Sequence, residues 1–157
     1  MTASNAAADY DSILNTMMDE VEAPPLVPVG TWVLKAAFAS FKEADNAEDP
    51  DIVLFGYDPE SAEEDVDPDE AATADTGQRL WQRFQINKTS KKSDLFRIRQ
   101  HIEKHGIDMS GRTLGQALDA LNKSKPVVRA LVGVRTYTNN IGQVVTTNTT
   151  KNFTSVD

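Results

Sequence analysis

Two guanidiniums flank an indole in the stretch GQRLWQRFQI, Gly77 to Ile86. Side chains alternate faces along an extended chain, so Arg79, Trp81 and Arg83 share one side and Leu80, Gln82, Phe84 and Ile86 the other. The second set reads as a packing face, and the first carries positive charge around a flat ring. The stretch PVVRALVGVRTYT repeats the pattern. Val128, Ala130, Val132 and Val134 read as core, with Arg129, Leu131, Gly133, Arg135 and Tyr137 opposite. Phosphates need cations and unstacked bases need flat apolar partners, so two such faces point to a groove for single-stranded nucleic acid. Arginine serves both needs, as a bidentate phosphate clamp and as a plane that stacks.

Lys88, Lys91 and Lys92 in NKTSKKSD follow the first stretch, where a loop would close over such a groove. The plainer reading of the indole is a partly covered ring with cation–π neighbours. Trp32, Phe38 and Phe41 are expected in the core, and Tyr57 fits either setting.

Patterns for catalysis are weak. HIEKH sets His101 and His105 one helical turn apart, a spacing that can hold zinc. The metalloprotease motif needs glutamate directly after the first histidine, and Ile102 stands there. With no third ligand in view, the two histidines are expected to face solvent without metal. DVDPDE has neither the sixth-position glycine nor the terminal glutamate of a calcium loop. The chain has no cysteine, which excludes disulfides, thiolate metal sites and cysteine nucleophiles and fits a reducing compartment. No phosphate-binding glycine loop or nucleophile elbow occurs. The expectation is a non-enzymatic protein without cofactor or metal.

Charge is divided along the chain. Residues 1–76 hold 19 acidic and 2 basic side chains, and residues 77–157 hold 5 acidic and 14 basic, so the net −8 is the sum of −17 and +9. Such asymmetry prompts a search for nucleic-acid binding beside an acidic appendage. No apolar run approaches the ~20 residues of a membrane helix, and the first residues lack the basic and apolar regions of a secretory signal. No membrane association is expected.

These residues are placed by the following elements. Ile13, Leu14, Met17, Met18 and Val21 in DYDSILNTMMDEVE fall at helical spacing, predicting a short acidic amphipathic helix within a tail of residues 1–25. It would dock on its own domain, on a second copy or on another protein. The proline-rich APPLVPVG ends it. Strands are predicted at Thr31 to Lys42, Ile52 to Tyr57, Arg79 to Ile86, PVVRALVGVRTYT and QVVTTNTTKNF. The first is long, with apolar residues on both faces, as for a strand shared by two sides of a barrel. Residues 59–76 are acidic with few large apolar groups and read as a long mobile loop. A polyanion tethered there would compete with nucleic acid for the basic groove. Between strands three and four, Ser90 and Ser93 are capping candidates for a helix that runs to about His105 and stops at Gly106. Its apolar stripe is Leu95, Ile98 and Ile102, with Phe96 beside it. A second helix aligns Leu114, Ala117, Leu118 and Leu121.

Three strands, a helical insert and two strands predict a mainly β, α+β domain over residues 26–157. The order matches the five-stranded Greek-key barrel of the OB-fold.

VPVGTWVLKAAFASFKEA, GQRLWQRFQINK, the helix ending EKHGID and KPVVRALVGVRTYTNNIGQVVTTNTTKNF together resemble a family of bacteriophage single-stranded DNA-binding proteins. The likeness spans about residues 26–153 and rests on the set of motifs, not on any one of them. It implies an OB-like barrel that coats single-stranded DNA with little sequence preference, during replication or recombination in the cytoplasm of an infected bacterium. Arg79, Trp81, Arg83, Arg129, Arg135 and Tyr137 lie in the matching strands. The acidic loop and the N-terminal helix depart from the family pattern. They are candidate docking points for phage replication or recombination proteins, or for a second copy. Two rivals stand beside this reading: a protein-interaction or virion accessory domain working through the acidic half, and a metal-dependent nuclease.

Overall fold

β1, Gly30–Lys42, buries one face at Gly30, Trp32, Leu34 and Ala36, leaves Lys35, Ser40 and Phe41 exposed, and serves two neighbouring strands. Its first half pairs with β4, from Gly30 opposite Val132 to Lys35 opposite Val127. Nearly its whole length pairs with β2, from Trp32 opposite Ala62 to Lys42 opposite Ile52. Register shifts at Val33/Leu34 and Ala36/Phe38 bend it, as inserted residues do. This computed structural model describes residues 14, 17, 18, 25–74 and 78–156. The other elements are β2 (Asp51–Ala62), α1 (Pro68–Thr73), β3 (Leu80–Ile86), α2 (Lys91–Glu103), α3 (Leu114–Ser124), β4 (Val127–Thr138) and β5 (Val144–Ser155). All strand pairs are antiparallel, and the sheet order is β3-β2-β1-β4-β5. The expected mainly β domain with helices between strands three and four is present. No ladder joins β3 to β5, so the sheet is open by hydrogen bonding.

One end of β1 leaves β4 behind, and a side chain takes over. Asn122 of α3 accepts from the Ala39 N–H at 2.8 Å and donates to the Ala39 carbonyl at 2.9 Å, standing in for a neighbouring strand. The helix is fixed at its start by a capping box between Thr113 and Gln116, and it buries Ala117, Leu118 and Leu121.

Of the expected loop 59–76, residues 59–62 and 68–73 carry regular structure instead. β2 continues through Pro59 to Ala62, and α1 follows at Pro68. Asp65 and Asp67 of this stretch act as hydrogen-bond acceptors. Asp65 accepts from the Thr31 N–H at 2.9 Å and its hydroxyl at 2.8 Å, and these bonds lower its pKa. Asp67 caps α1. Between them Val66 is buried against Gly30. Gly30 sits at φ +138°, and a Cβ there would come within 2.5 Å of Val66 Cγ2. One buried valine and a glycine thus pin a segment whose composition looks soluble throughout.

α2 begins after Ser90, while Ser93 lies within its first turn. Ser90 makes no side-chain cap; instead Asp94 accepts from the Asn87 N–H and the Ser90 hydroxyl and pairs with Arg97, which holds its pKa down to about 2. Ile98 and Ile102 are buried, Leu95 is half-buried and Phe96 is exposed. His101 and His105 do not face solvent, contrary to expectation: each is only 5% exposed. They lie among Phe55, Tyr57 and Phe153, and both rings reach the Tyr57 hydroxyl, His101 Nε2 at 2.7 Å and His105 Nε2 at 2.8 Å. His105 Nδ1 lies 2.8 Å from the His101 carbonyl and must donate to it. That leaves His105 Nε2 to accept from Tyr57, whose oxygen then accepts from His101 Nε2–H. The chain of bonds needs His105 neutral, because its Nε2 must accept. Burial pushes the His101 pKa down to about 3, with the charge of His105 adding to it, and burial pushes His105 to about 4.

Three further expectations are corrected. Val134 is 43% exposed, because β4 extends beyond the core into a hairpin with β5. Phe41 lies near the end of β1 and is also exposed, while Phe38 is half-buried on the outer face. The predicted N-terminal helix lies outside the described residues, apart from Leu14, Met17 and Met18, which are exposed. Among the described residues, no helix is long and apolar enough to cross a membrane.

Candidate nucleic-acid interface

The alternation read in β3 is present in space. Leu80 and Ile86 are buried, Gln82 and Phe84 are half-buried, and Arg79, Trp81 and Arg83 are exposed. Trp81 is 48% exposed, against 1% for Trp32 in the core. In β4, Val128, Ala130 and Val132 are buried and Arg135 and Tyr137 exposed.

The two free edges of the sheet bring these faces together. β3 and β5 approach at Thr150, whose hydroxyl donates to the Trp81 carbonyl at 3.3 Å and to Gln82 Oε1 at 3.0 Å. Beside this contact a groove of about 610 Å³ lies between β3 and the β4–β5 hairpin. Arg79, Trp81 and Arg83 line one wall, and Arg135 and Tyr137 another. Thr147, Thr149 and Thr150 of β5 contribute hydroxyls. Leu26 closes one side, held there because Asn148 accepts from the neighbouring Val27 N–H at 2.9 Å and donates to its carbonyl at 2.9 Å.

The three guanidiniums differ. Arg79 makes a two-point contact with Asp58, at 3.0 and 3.3 Å, and lies 5.3 Å from the Phe38 ring centre. Arg135 lies 5.0 Å over the ring of Tyr137. Among the described residues, neither Arg83 nor Arg135 has a carboxylate within ion-pair distance. Arg83 also lines a second pocket with Glu43, Asp45 and Asp49. The groove thus combines two guanidiniums outside ion pairs with two exposed aromatic rings. That arrangement attracts an anionic polymer with flat apolar substituents.

The remaining expected site residues lie elsewhere. Arg129 pairs with Glu63 at 2.8 Å, beside Thr31 and Asp65, because its strand position faces the acidic turn after β2. Lys88 lies 3.9 Å from Asp51, at the far end of β3 from the groove residues. Lys91 and Lys92 are exposed on the first turn of α2 and do not line the groove.

Phe38, Gln82 and the β5 threonines were not legible as neighbours of the groove. Phe38 had one signal, in a different strand: Gly56 stands between Phe55 and Tyr57, and glycine inside a strand often marks close approach of another group. Phe38 meets Trp81 edge to face, with centres 5.4 Å apart and planes at 70°. Among the described residues there is no cluster of three or more His, Cys, Asp or Glu side chains fit to hold a metal ion. No protein-family model and no curated protein matches the chain.

Proposed function

We propose that this chain is a non-enzymatic single-stranded DNA-binding protein of the phage type it resembles. The observation that carries the reading is the groove in which Arg83, Arg135, Trp81 and Tyr137 converge from separate strands. Guanidiniums capture the backbone, releasing condensed counterions, and the exposed rings take unstacked bases. Neither contact depends on base identity, so the protein coats strands with little sequence preference and keeps them available for replication or recombination. The strand order, with β3 and β5 meeting at Thr150, supports an OB-like barrel that is closed by side-chain contacts instead of a ladder.

The test is fluorescence titration with oligo-dT and with a matched duplex at two salt concentrations. Because Trp32 is buried, quenching reports chiefly on Trp81. The expected result is strong quenching by oligo-dT, weak binding of duplex, and an affinity that falls with salt. Trp81→Ala should weaken binding about 5- to 150-fold, the value of one base stack, with the fold retained. Absence of binding at low salt would overturn the reading and favour a protein-interaction domain.

A further inference from the structure

Resting on this reading of the groove, we infer that Gly56 and Phe38 form a hidden support that sets the pose of Trp81, with Gly56 as a positioning residue. Phe38, Gly56 and Trp81 are aligned in register across β1, β2 and β3. With no side chain at position 56, the Phe38 ring lies down over β2. A Cβ on Gly56 would stand 2.6 Å from Phe38 Cε1 and 3.1 Å from both Cδ1 and Cζ, so the ring fills the space that any other residue would need. Lying there, the ring reaches Trp81 at the 70° edge-to-face geometry that aromatic pairs favour. Arg79 covers Phe38 and is itself tied to Asp58. This assigns Arg79 a bracing role distinct from that of Arg83 and Arg135, which form no ion pair among the described residues. The ligand of the supported indole is an unstacked nucleobase. Gly56 does not have the positive φ of a left-handed residue, so alanine there acts through Phe38 and not through backbone strain.

The experiment is a double-mutant cycle on the full chain with Gly56→Ala, Phe38→Ala and the pair, titrated with oligo-dT at several salt concentrations. Each single variant is expected to lose about fivefold or more in affinity and part of the quench, with the salt dependence unchanged. In the Phe38→Ala background, Gly56→Ala should add nothing, because the ring it displaces is gone. Wild-type affinity for Gly56→Ala, or an equal loss in both backgrounds, would overturn the inference. Should Gly56→Ala fail to fold, Phe38→Ala alone decides: unaltered affinity sinks the proposal. Acrylamide quenching of the free protein separates the two levels of the argument. If wild type binds no oligonucleotide, the functional reading fails, while a change in Trp81 accessibility in Gly56→Ala still supports the support itself, and no change rejects it.

Discussion

Lowering the pH from 7 to 5 should weaken this fold through two histidines before its carboxylates protonate. His101 and His105 are buried around the Tyr57 hydroxyl, where the bonds need His105 neutral and burial disfavours the charged form of both rings. Their native pKa values, about 3 and about 4, lie below the ordinary histidine value of about 6.5. Above about pH 6.5 both states are neutral at these sites, and the full stability is present. As the pH falls below that, the unfolded chain takes up protons that the native state refuses, so stability is lost until the native values are reached. At pH 5 each site has lost about 2 kcal/mol, from 1.36 kcal/mol per pH unit over about 1.5 units. Together that is about 4 kcal/mol, a large share of the ~5–15 kcal/mol typical of a domain. Ordinary carboxylates, with pKa near 4, contribute little over this window. Urea unfolding followed by circular dichroism at a series of pH values measures the slope, which should approach two protons per molecule. Imidazole proton shifts in NMR should stay constant down to about pH 5. A flat stability profile between pH 7 and 5, or a histidine titrating near 6.5 in the native state, would refute the neutral arrangement.

Other perturbations separate groove from scaffold. Arg83→Ala and Arg135→Ala should each reduce the slope of log affinity against log salt by ~0.7 for a single strand, measured by titration with oligo-dT. Asn148→Ala leaves both polar groups of Val27 without their side-chain partner and should cost about 1–3 kcal/mol in urea unfolding. Gly30→Ala combines an unfavourable φ with a clash on Val66 and should cost about 1–3 kcal/mol by the same measurement, with increased proteolysis of the acidic segment after β2.

Periodicity alone determined most of the strands, both helices of the insert and the exposed side of β3, because alternation and helical spacing are properties of neighbouring residues. Arg79, Trp81 and Arg83 could be placed on one face by counting. The tertiary structure decided which faces meet. Arg129 and Arg135 share a side of β4 and look equivalent in sequence, yet Glu63 takes one while the groove takes the other. Acidic residues 59–76 looked unstructured because their anchors, Gly30 and Thr31, lie some thirty residues earlier. The histidines looked solvated because their partner Tyr57 lies on another element. Composition and spacing report a residue's own preference, whereas burial, pairing and neutralisation depend on partners that only the folded chain brings within a few ångströms.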